Sequence, residues 1–199
     1  MVKFLIVYAT EEGQTKKISE FIKNEISLIG YDVEIHNCND NYDLIIHDNY
    51  TGIIIGGSVH NGNLSKVLTK WVINNAIVLS NAPSAFFLVC LGILEKGLVA
   101  KDDERRIVID FFDEVSWYPE KTTIFAGALK YSKYGWFTKW VMKKIAEKAG
   151  GATDTSKDYE YTDWNAVREF TIQFVRQVIE HKEVTPTFSR MSNPKRIFS

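Results

Sequence analysis

The feature that most constrains this chain is a short apolar run that ends in a loop of small and hydroxylated residues, directly before a helical pattern. The run covers 4–7, and the loop over 9–15 reads Ala-Thr-Glu-Glu-Gly-Gln-Thr. This succession predicts a strand, a tight loop and a helix N-terminus. The N–H groups of a first helical turn lack partners and carry a partial positive charge, so such a loop can hold a phosphate.

The residues of this loop also indicate which phosphate compound it suits. Thr10 and Thr15 supply hydroxyl donors, and Gly13 lets the backbone come close to a ligand. The loop has no lysine, which a nucleoside-triphosphate P-loop requires, so a phosphate monoester held by neutral donors fits better than a triphosphate with magnesium. The alternative is an ordinary strand-to-helix turn whose threonines only cap the helix.

Predicted strands and helices alternate along the rest of the chain. Further strands are expected at 31–35, 52–56, 85–91 and 122–128, and helices at 18–29, 64–72, 103–115 and from an N-cap at Thr162. The alternation predicts an α/β fold: a doubly wound, five-stranded parallel sheet in the order 2-1-3-4-5, with helices on both faces. The crevice of such a sheet lies between its first and third strands, so its loops should be 10–15, 57–62 and 90–103.

Composition and length limit the domain count and the partners. The chain has 199 residues, 45% of them apolar, which is enough for one core. We expect one domain over 1–182 and a loose tail over 183–199, which has two prolines and few apolar residues. The formal net charge of -1 provides no field that would recruit nucleic acid.

The cysteines and the apolar runs bear on the compartment. Cys38 and Cys90 lie in or beside predicted strands, which favours reduced, buried thiols, although they could pair if the fold brought them together. No apolar run approaches the ~20 residues that span a bilayer, and the start Met-Val-Lys-Phe has no secretory pattern. We therefore expect a cytoplasmic protein, or one peripheral on the cytoplasmic face of the cell membrane.

A segment rich in aromatic residues and lysine follows the fifth predicted strand. From Trp136 on, in the segment 136–148, one face of a predicted helix carries Phe137, Trp140, Val141 and Ile145, and Lys139, Lys143 and Lys144 lie toward the other. Such a helix can lie in a lipid interface. The alternative is a helix packed on the sheet with solvated lysines.

The opening loop resembles the flavodoxin pattern of a hydroxyl residue, any residue, Thr, Gly, any residue, Thr. Here it reads Thr10-Glu11-Glu12-Gly13-Gln14-Thr15, so Glu12 replaces the middle threonine. The resemblance implies FMN as the cofactor. We expect the Glu11 and Glu12 side chains to point to solvent while their backbone N–H groups serve the phosphate.

The chain is also similar, from residue 1 to about 180, to the bacterial FMN-containing, menaquinone-dependent protoporphyrinogen IX dehydrogenases. The resemblance is carried by 9–15, 82–86, 126–131 with the aromatic segment after it, and 150–155 leading to 161–164. The chain differs from this family at 92–104, where the family carries a basic insertion and this sequence is partly acidic.

This resemblance implies an FMN-dependent oxidoreductase of haem biosynthesis, which takes hydride equivalents from a porphyrinogen and passes them to a quinone. The cofactor-binding residues that it implies are Thr10, Glu11, Glu12, Gly13, Gln14 and Thr15 for the phosphate, Ser58, Val59, His60, Cys90, Leu91 and Gly92 around the ring, and Asp154 and Thr155 closing the site. His60 is the tentative catalytic residue, as a donor to the reduced flavin. The alternative for His60 is a solvent-exposed loop histidine.

Two other functions fit the same sheet order. A flavodoxin-type electron carrier would bind FMN without a small-molecule substrate, but such carriers tend to be strongly acidic and this chain is near neutral. A phosphorylation-dependent receiver domain needs an aspartate at the end of the third strand. This chain has Gly56 and Gly57 there, which argues against a receiver.

Overall fold

The structure is a computed structural model, and it describes residues 2–41, 43–46, 50–60, 63–91, 98–130 and 154–191. Its strands are β1 Lys3–Tyr8, β2 Asp32–Asn37, β3 Gly52–His60, β4 Asn63–Leu64, β5 Ser84–Cys90, β6 Lys121–Ala126, β7 Ala128–Leu129 and β8 Tyr159–Glu160. The described helices are α1 Gln14–Leu28, α2 Lys66–Asn81, α3 Leu98–Val115 and α4 Trp164–Met191.

Five parallel strands form the main sheet in the order β2-β1-β3-β5-β6. Counted along the chain, this is the predicted order 2-1-3-4-5, which the structure confirms. The short β4 pairs antiparallel with β3, and β7 pairs antiparallel with β8 in a separate two-stranded sheet. Because β1 lies between β2 and β3, the chain leaves it in one direction and later returns on its other side, which opens a crevice at its carboxyl end.

The two faces of the sheet are covered by different pairs of helices. Leu5 and Val7 of β1 pack in a buried cluster with α2 and α3, whereas Phe4 and Ile6 pack with α1 and α4. This alternation follows from the period of two along a strand. The prediction of helices on both faces is confirmed.

The glycines predicted to end the third strand lie inside it. Strand β3 continues through Gly56 and Gly57 to His60, so the predicted loop over 57–62 is wrong at 57–60, and 61–62 lie outside the described residues. A Cβ atom on Gly56 would lie 2.2 Å from the ring of Phe87 on β5. Close packing between neighbouring strands, rather than a turn, therefore requires this glycine.

Helix α4 has a different N-cap from the one predicted. Asp163 Oδ1 accepts hydrogen bonds from the N–H groups of Asn165 (2.9 Å) and Ala166 (3.2 Å), so Asp163 is the cap. The Thr162 hydroxyl instead donates to the carbonyl oxygen of Ala126, at 2.8 Å. Thr162 points toward the sheet, and the prediction of a Thr162 cap is wrong.

Several helix ends also differ from the prediction. Helix α3 begins at Leu98 rather than 103, and α2 begins at Lys66, because Leu64 belongs to the hairpin strand β4. Helix α4 continues to Met191, past the expected boundary at 182. The division into a domain and a tail there stays a prediction, and 192–199 lie outside the described residues.

The structure describes both cysteines. Cys38 is buried and Cys90 is half-buried, and both are free thiols, as expected. Burial raises the pKa of the Cys38 thiol to about 12.

The aromatic segment 136–148 lies outside the described residues. Within the described ranges, no helix combines the length and the apolar character needed to cross a membrane.

Candidate functional site

The loop between β1 and α1 lies at the carboxyl end of β1, beside β3. The Ala9 N–H donates to the carbonyl oxygen of Gly56 (3.1 Å), which ties the start of the loop to β3. The Thr10 N–H donates to Asn39 Oδ1 (3.1 Å), and Thr10 Oγ1 accepts from the Gly13 N–H (3.0 Å). The loop is therefore closed on itself and anchored on both sides at the crevice of the sheet.

Gly13 brings the chain into helix α1 in a left-handed conformation, with φ of 95°. A Cβ atom there would meet nothing within 4 Å, so the backbone conformation, not lack of space, favours glycine. Because this N-cap residue has no side chain, it provides no cap for the first-turn N–H groups. The N-terminus of α1 is thus suited to bind an anion.

Thr15 is the most informative side chain of this turn. It is 1% exposed, and its Oγ1 has no hydrogen-bond partner within the described part of the chain. Burying a hydroxyl without a partner costs about 1–3 kcal/mol. A phosphate oxygen at the N-terminus of α1 would supply that partner, so the residues present fit a phosphate group. Ser19, one turn further on, also has a buried Oγ without a described partner.

The remaining residues of the loop differ in their surroundings. Glu11 is exposed, as expected, whereas Glu12 is half-buried. Gln14 is buried, and its side-chain Nε2 donates to Thr162 Oγ1 at 2.9 Å. The Gln14 side chain is therefore bonded away from the loop, which leaves its backbone N–H as the group that can serve an anion.

The ends of β3 and β5 lie side by side at the same edge of the sheet. Ser58 of β3 pairs with Val89 of β5, and both Ser58 and Val59 are half-buried. Cys90 ends β5 and Leu91 follows it, half-buried. The structure thus brings the predicted ring-binding segments together next to the first loop. The side chain of His60 and all of Gly92 lie outside the described residues.

Glu104 is a buried acid that the sequence analysis placed in the polar region 92–104. It is 4% exposed, and its Oε1 accepts a hydrogen bond from Cys90 Sγ at 3.3 Å. Helical spacing could have identified it, since Glu104 lies within the predicted helix 103–115, four residues before Val108 on the buried face of α3.

A cavity of about 570 Å³ lies between α3 and the edge strand β6. Its lining consists of Glu104, Arg105, Val108, Ile109, Phe112, Thr122, Thr123 and Ile124. None of these lining residues belongs to β1 or β3, so the cavity lies beside the crevice and not in it. Glu104 connects the two, because its carboxylate also contacts Cys90.

Asp154 and Thr155 have no described contact with the first loop. Asp154 is exposed, and its Oδ1 accepts hydrogen bonds from the N–H (3.0 Å) and the hydroxyl (2.6 Å) of Ser156. These bonds, and Lys157 nearby, lower the pKa of the Asp154 carboxyl. The segment reaches the first loop further along the chain, through Thr162, which the sequence analysis missed as a site residue.

Comparison with known proteins agrees with this geometry. The flavodoxin-domain family model matches residues 5–156. Protoporphyrinogen IX dehydrogenase (quinone) of Escherichia coli (strain K12) is 31% identical over 175 residues, which cover 85% of this chain and 92% of that protein. The chain belongs to the flavodoxin-domain family and, within it, to the protoporphyrinogen IX dehydrogenase family. A Leishmania major member is 32% identical, over 86% of this chain and 74% of its own length.

Solved structures agree on the fold. A short-chain flavodoxin associated with a bacterial microcompartment has a TM-score of 0.50 and 10% identity, with 89% of this chain and 99% of that one covered. Rubredoxin oxygen:oxidoreductase of Desulfovibrio gigas has a TM-score of 0.51 and 11% identity. The match covers 89% of this chain but only 36% of that larger protein. Flavodoxins bind FMN at the crevice between the first and third strands, where the loop described above lies.

Replacing Gly13 by alanine tests the role of the left-handed turn, and Gly30→Ala is its matched control. Gly30 lies just past the other end of α1 with a similar φ of 99°. We expect either alanine to lower the free energy of unfolding by about 1 kcal/mol, because each must hold a left-handed conformation. Only Gly13→Ala should weaken FMN binding, measured by fluorescence titration of apoprotein. Equal FMN affinities for the two variants would contradict this role of the turn.

Proposed function

We propose that this protein is an FMN-dependent dehydrogenase that oxidises protoporphyrinogen IX and passes the electrons to a quinone. The names of its relatives supply the substrate and the acceptor. The observation that carries the cofactor assignment is the buried Thr15 hydroxyl, which has no described partner in the first turn of α1.

The loop over 10–15 holds the FMN phosphate. Thr15 Oγ1 donates to a phosphate oxygen, and so does Thr10, since a hydroxyl that accepts one hydrogen bond still has its own hydrogen to donate. The backbone N–H groups at the start of α1, including that of Gln14, complete the phosphate-binding site. Neutral donors and a helix dipole suffice for a monoester, so the absence of lysine from the loop fits this ligand.

The residues that would hold the flavin ring lie at the ends of β3 and β5. Bound FMN supplies the electron-transfer chemistry, and the protein orients it and excludes water. Ser58, Val59 and His60 would line one side of the ring, and Cys90, Leu91 and Gly92 the other, as the family resemblance implies. His60 would be the proton donor to the reduced flavin, while Glu104 accepts a hydrogen bond from the Cys90 thiol and so holds it in place. Asp154 and Thr155 close the site, as the family resemblance implies.

Turnover tests the proposed reaction. We expect the FMN-loaded protein, under anaerobic conditions, to convert protoporphyrinogen IX into fluorescent protoporphyrin IX when a menaquinone analogue is present. A reaction without quinone is the control, and it should stop once the bound flavin is reduced. A protein that binds FMN but produces no porphyrin would contradict the proposal and support the electron carrier instead.

Thr15→Val tests the proposed phosphate-binding site, and Ser19→Ala is its control. Valine keeps the shape of threonine but removes the donor, so the FMN dissociation constant should rise about tenfold. The affinity for riboflavin, which has no phosphate, should change little. Ser19→Ala also removes a buried hydroxyl without a described partner, one turn from the loop, and should leave both affinities unchanged. Equal losses of FMN and riboflavin binding in Thr15→Val would overturn the assignment.

We further propose that the segment 136–148 contacts the membrane that contains the quinone, on the cytoplasmic face. Its tryptophans would enter the lipid interface, and its lysines would attract anionic headgroups. Trp140→Glu should abolish co-sedimentation with anionic vesicles without changing the flavin content. Undiminished vesicle binding would instead indicate a helix that packs on the protein.

A further inference from the structure

A chain of two hydrogen bonds, one buried and one partly buried, joins the start of α1 to the end of β6. Gln14 Nε2 donates to Thr162 Oγ1 at 2.9 Å, and Thr162 Oγ1 donates to the carbonyl oxygen of Ala126 at 2.8 Å. A carbonyl can only accept, so the single hydroxyl hydrogen of Thr162 is committed to Ala126. Gln14 must therefore be the donor in the other bond, and the direction of both bonds is fixed.

Both side chains of this pair are buried. Gln14 is 5% exposed and Thr162 is 8% exposed, so water cannot readily replace a lost partner. Gln14 is also the first residue of α1, and its backbone N–H belongs to the turn that faces the phosphate. Fixing the Gln14 side chain consequently fixes the position of the helix end relative to the sheet.

Thr162 is itself held firmly on both sides along the chain. The Tyr161 N–H donates to the carbonyl oxygen of Gly127 (3.1 Å), and Asp163 caps α4. On the outer side of the same contact, Lys17 of α1 forms an ion pair with Glu160. The Thr162 hydroxyl, which accepts the hydrogen bond from Gln14, is thus held in place by contacts with the end of β6, with β8 and with the start of α4.

We propose that Thr162 is a positioning residue for the phosphate of the flavin, acting through Gln14 without touching the cofactor. The inference rests on the proposed FMN site. In this proposal the Gln14 side chain bonds to Thr162, and only the backbone N–H of Gln14 contacts the ligand. Removing the Thr162 hydroxyl frees the start of α1, so the first-turn N–H groups lose their alignment with the phosphate while the ring site between β3 and β5 is unaffected.

The test compares FMN and riboflavin affinities of three full-length variants. Thr162→Val removes the hydroxyl and keeps the shape, and Thr162→Ser restores the hydroxyl. Thr171→Val is the matched control, because the Thr171 hydroxyl is also buried and donates to the Val167 carbonyl oxygen at the same distance of 2.8 Å, within α4 itself. Thermal unfolding of each apoprotein establishes that it is folded.

We expect Thr162→Val to raise the FMN dissociation constant about tenfold and to change that of riboflavin little. Thr162→Ser should return FMN affinity to near the wild-type value, and Thr171→Val should leave the ratio of the two affinities unchanged. Equal losses for both ligands, or no loss for either, would overturn the role of Thr162. Failure of the wild-type protein to bind FMN would instead overturn the proposed function, so the two failures are distinguishable.

Discussion

Parallel pairing of β1 with β2 on one side and β3 on the other is the constraint on which the candidate site depends. Each parallel neighbour requires a crossover, and the crossovers on the two sides of β1 leave in opposite directions. The backbone at the carboxyl end of β1 is therefore not covered by the chain itself. The loop and the N-terminus of α1 occupy that position, and the ends of β3 and β5 lie beside them.

The first loop also contains two features that are unfavourable in a folded chain unless a ligand compensates for them. The central strands β1, β3 and β5 bury apolar side chains on both faces of the sheet, and alternate residues pack against different helices. At the first loop the chain instead holds a left-handed glycine and buries a threonine hydroxyl without a described partner. Such local costs are typical of functional sites, where a ligand supplies the missing interaction.

The sequence predicted the sheet order, the helices on both faces and the first loop, because all three follow from short-range patterns. Two of its errors have specific physical causes. Gly56 was interpreted as the end of a strand, but the glycine makes room for Phe87 of a neighbouring strand, which no local pattern reveals. Thr162 precedes an amphipathic helix as a cap does, yet its partners are Ala126 and Gln14, the latter 148 positions away in the chain. The buried Glu104 was detectable from helical spacing.

The bond between Gln14 and Thr162 has a consequence for biosynthesis. The loop contains some of the first residues to leave the ribosome, but it is supported by Thr162, a residue just before the start of α4. The phosphate-binding loop of a nascent chain therefore lacks this contact until Thr162 has been synthesised. Full flavin affinity is therefore expected only once Thr162 has been synthesised and has folded against Gln14, and a product that ends before Thr162 should bind flavin more weakly.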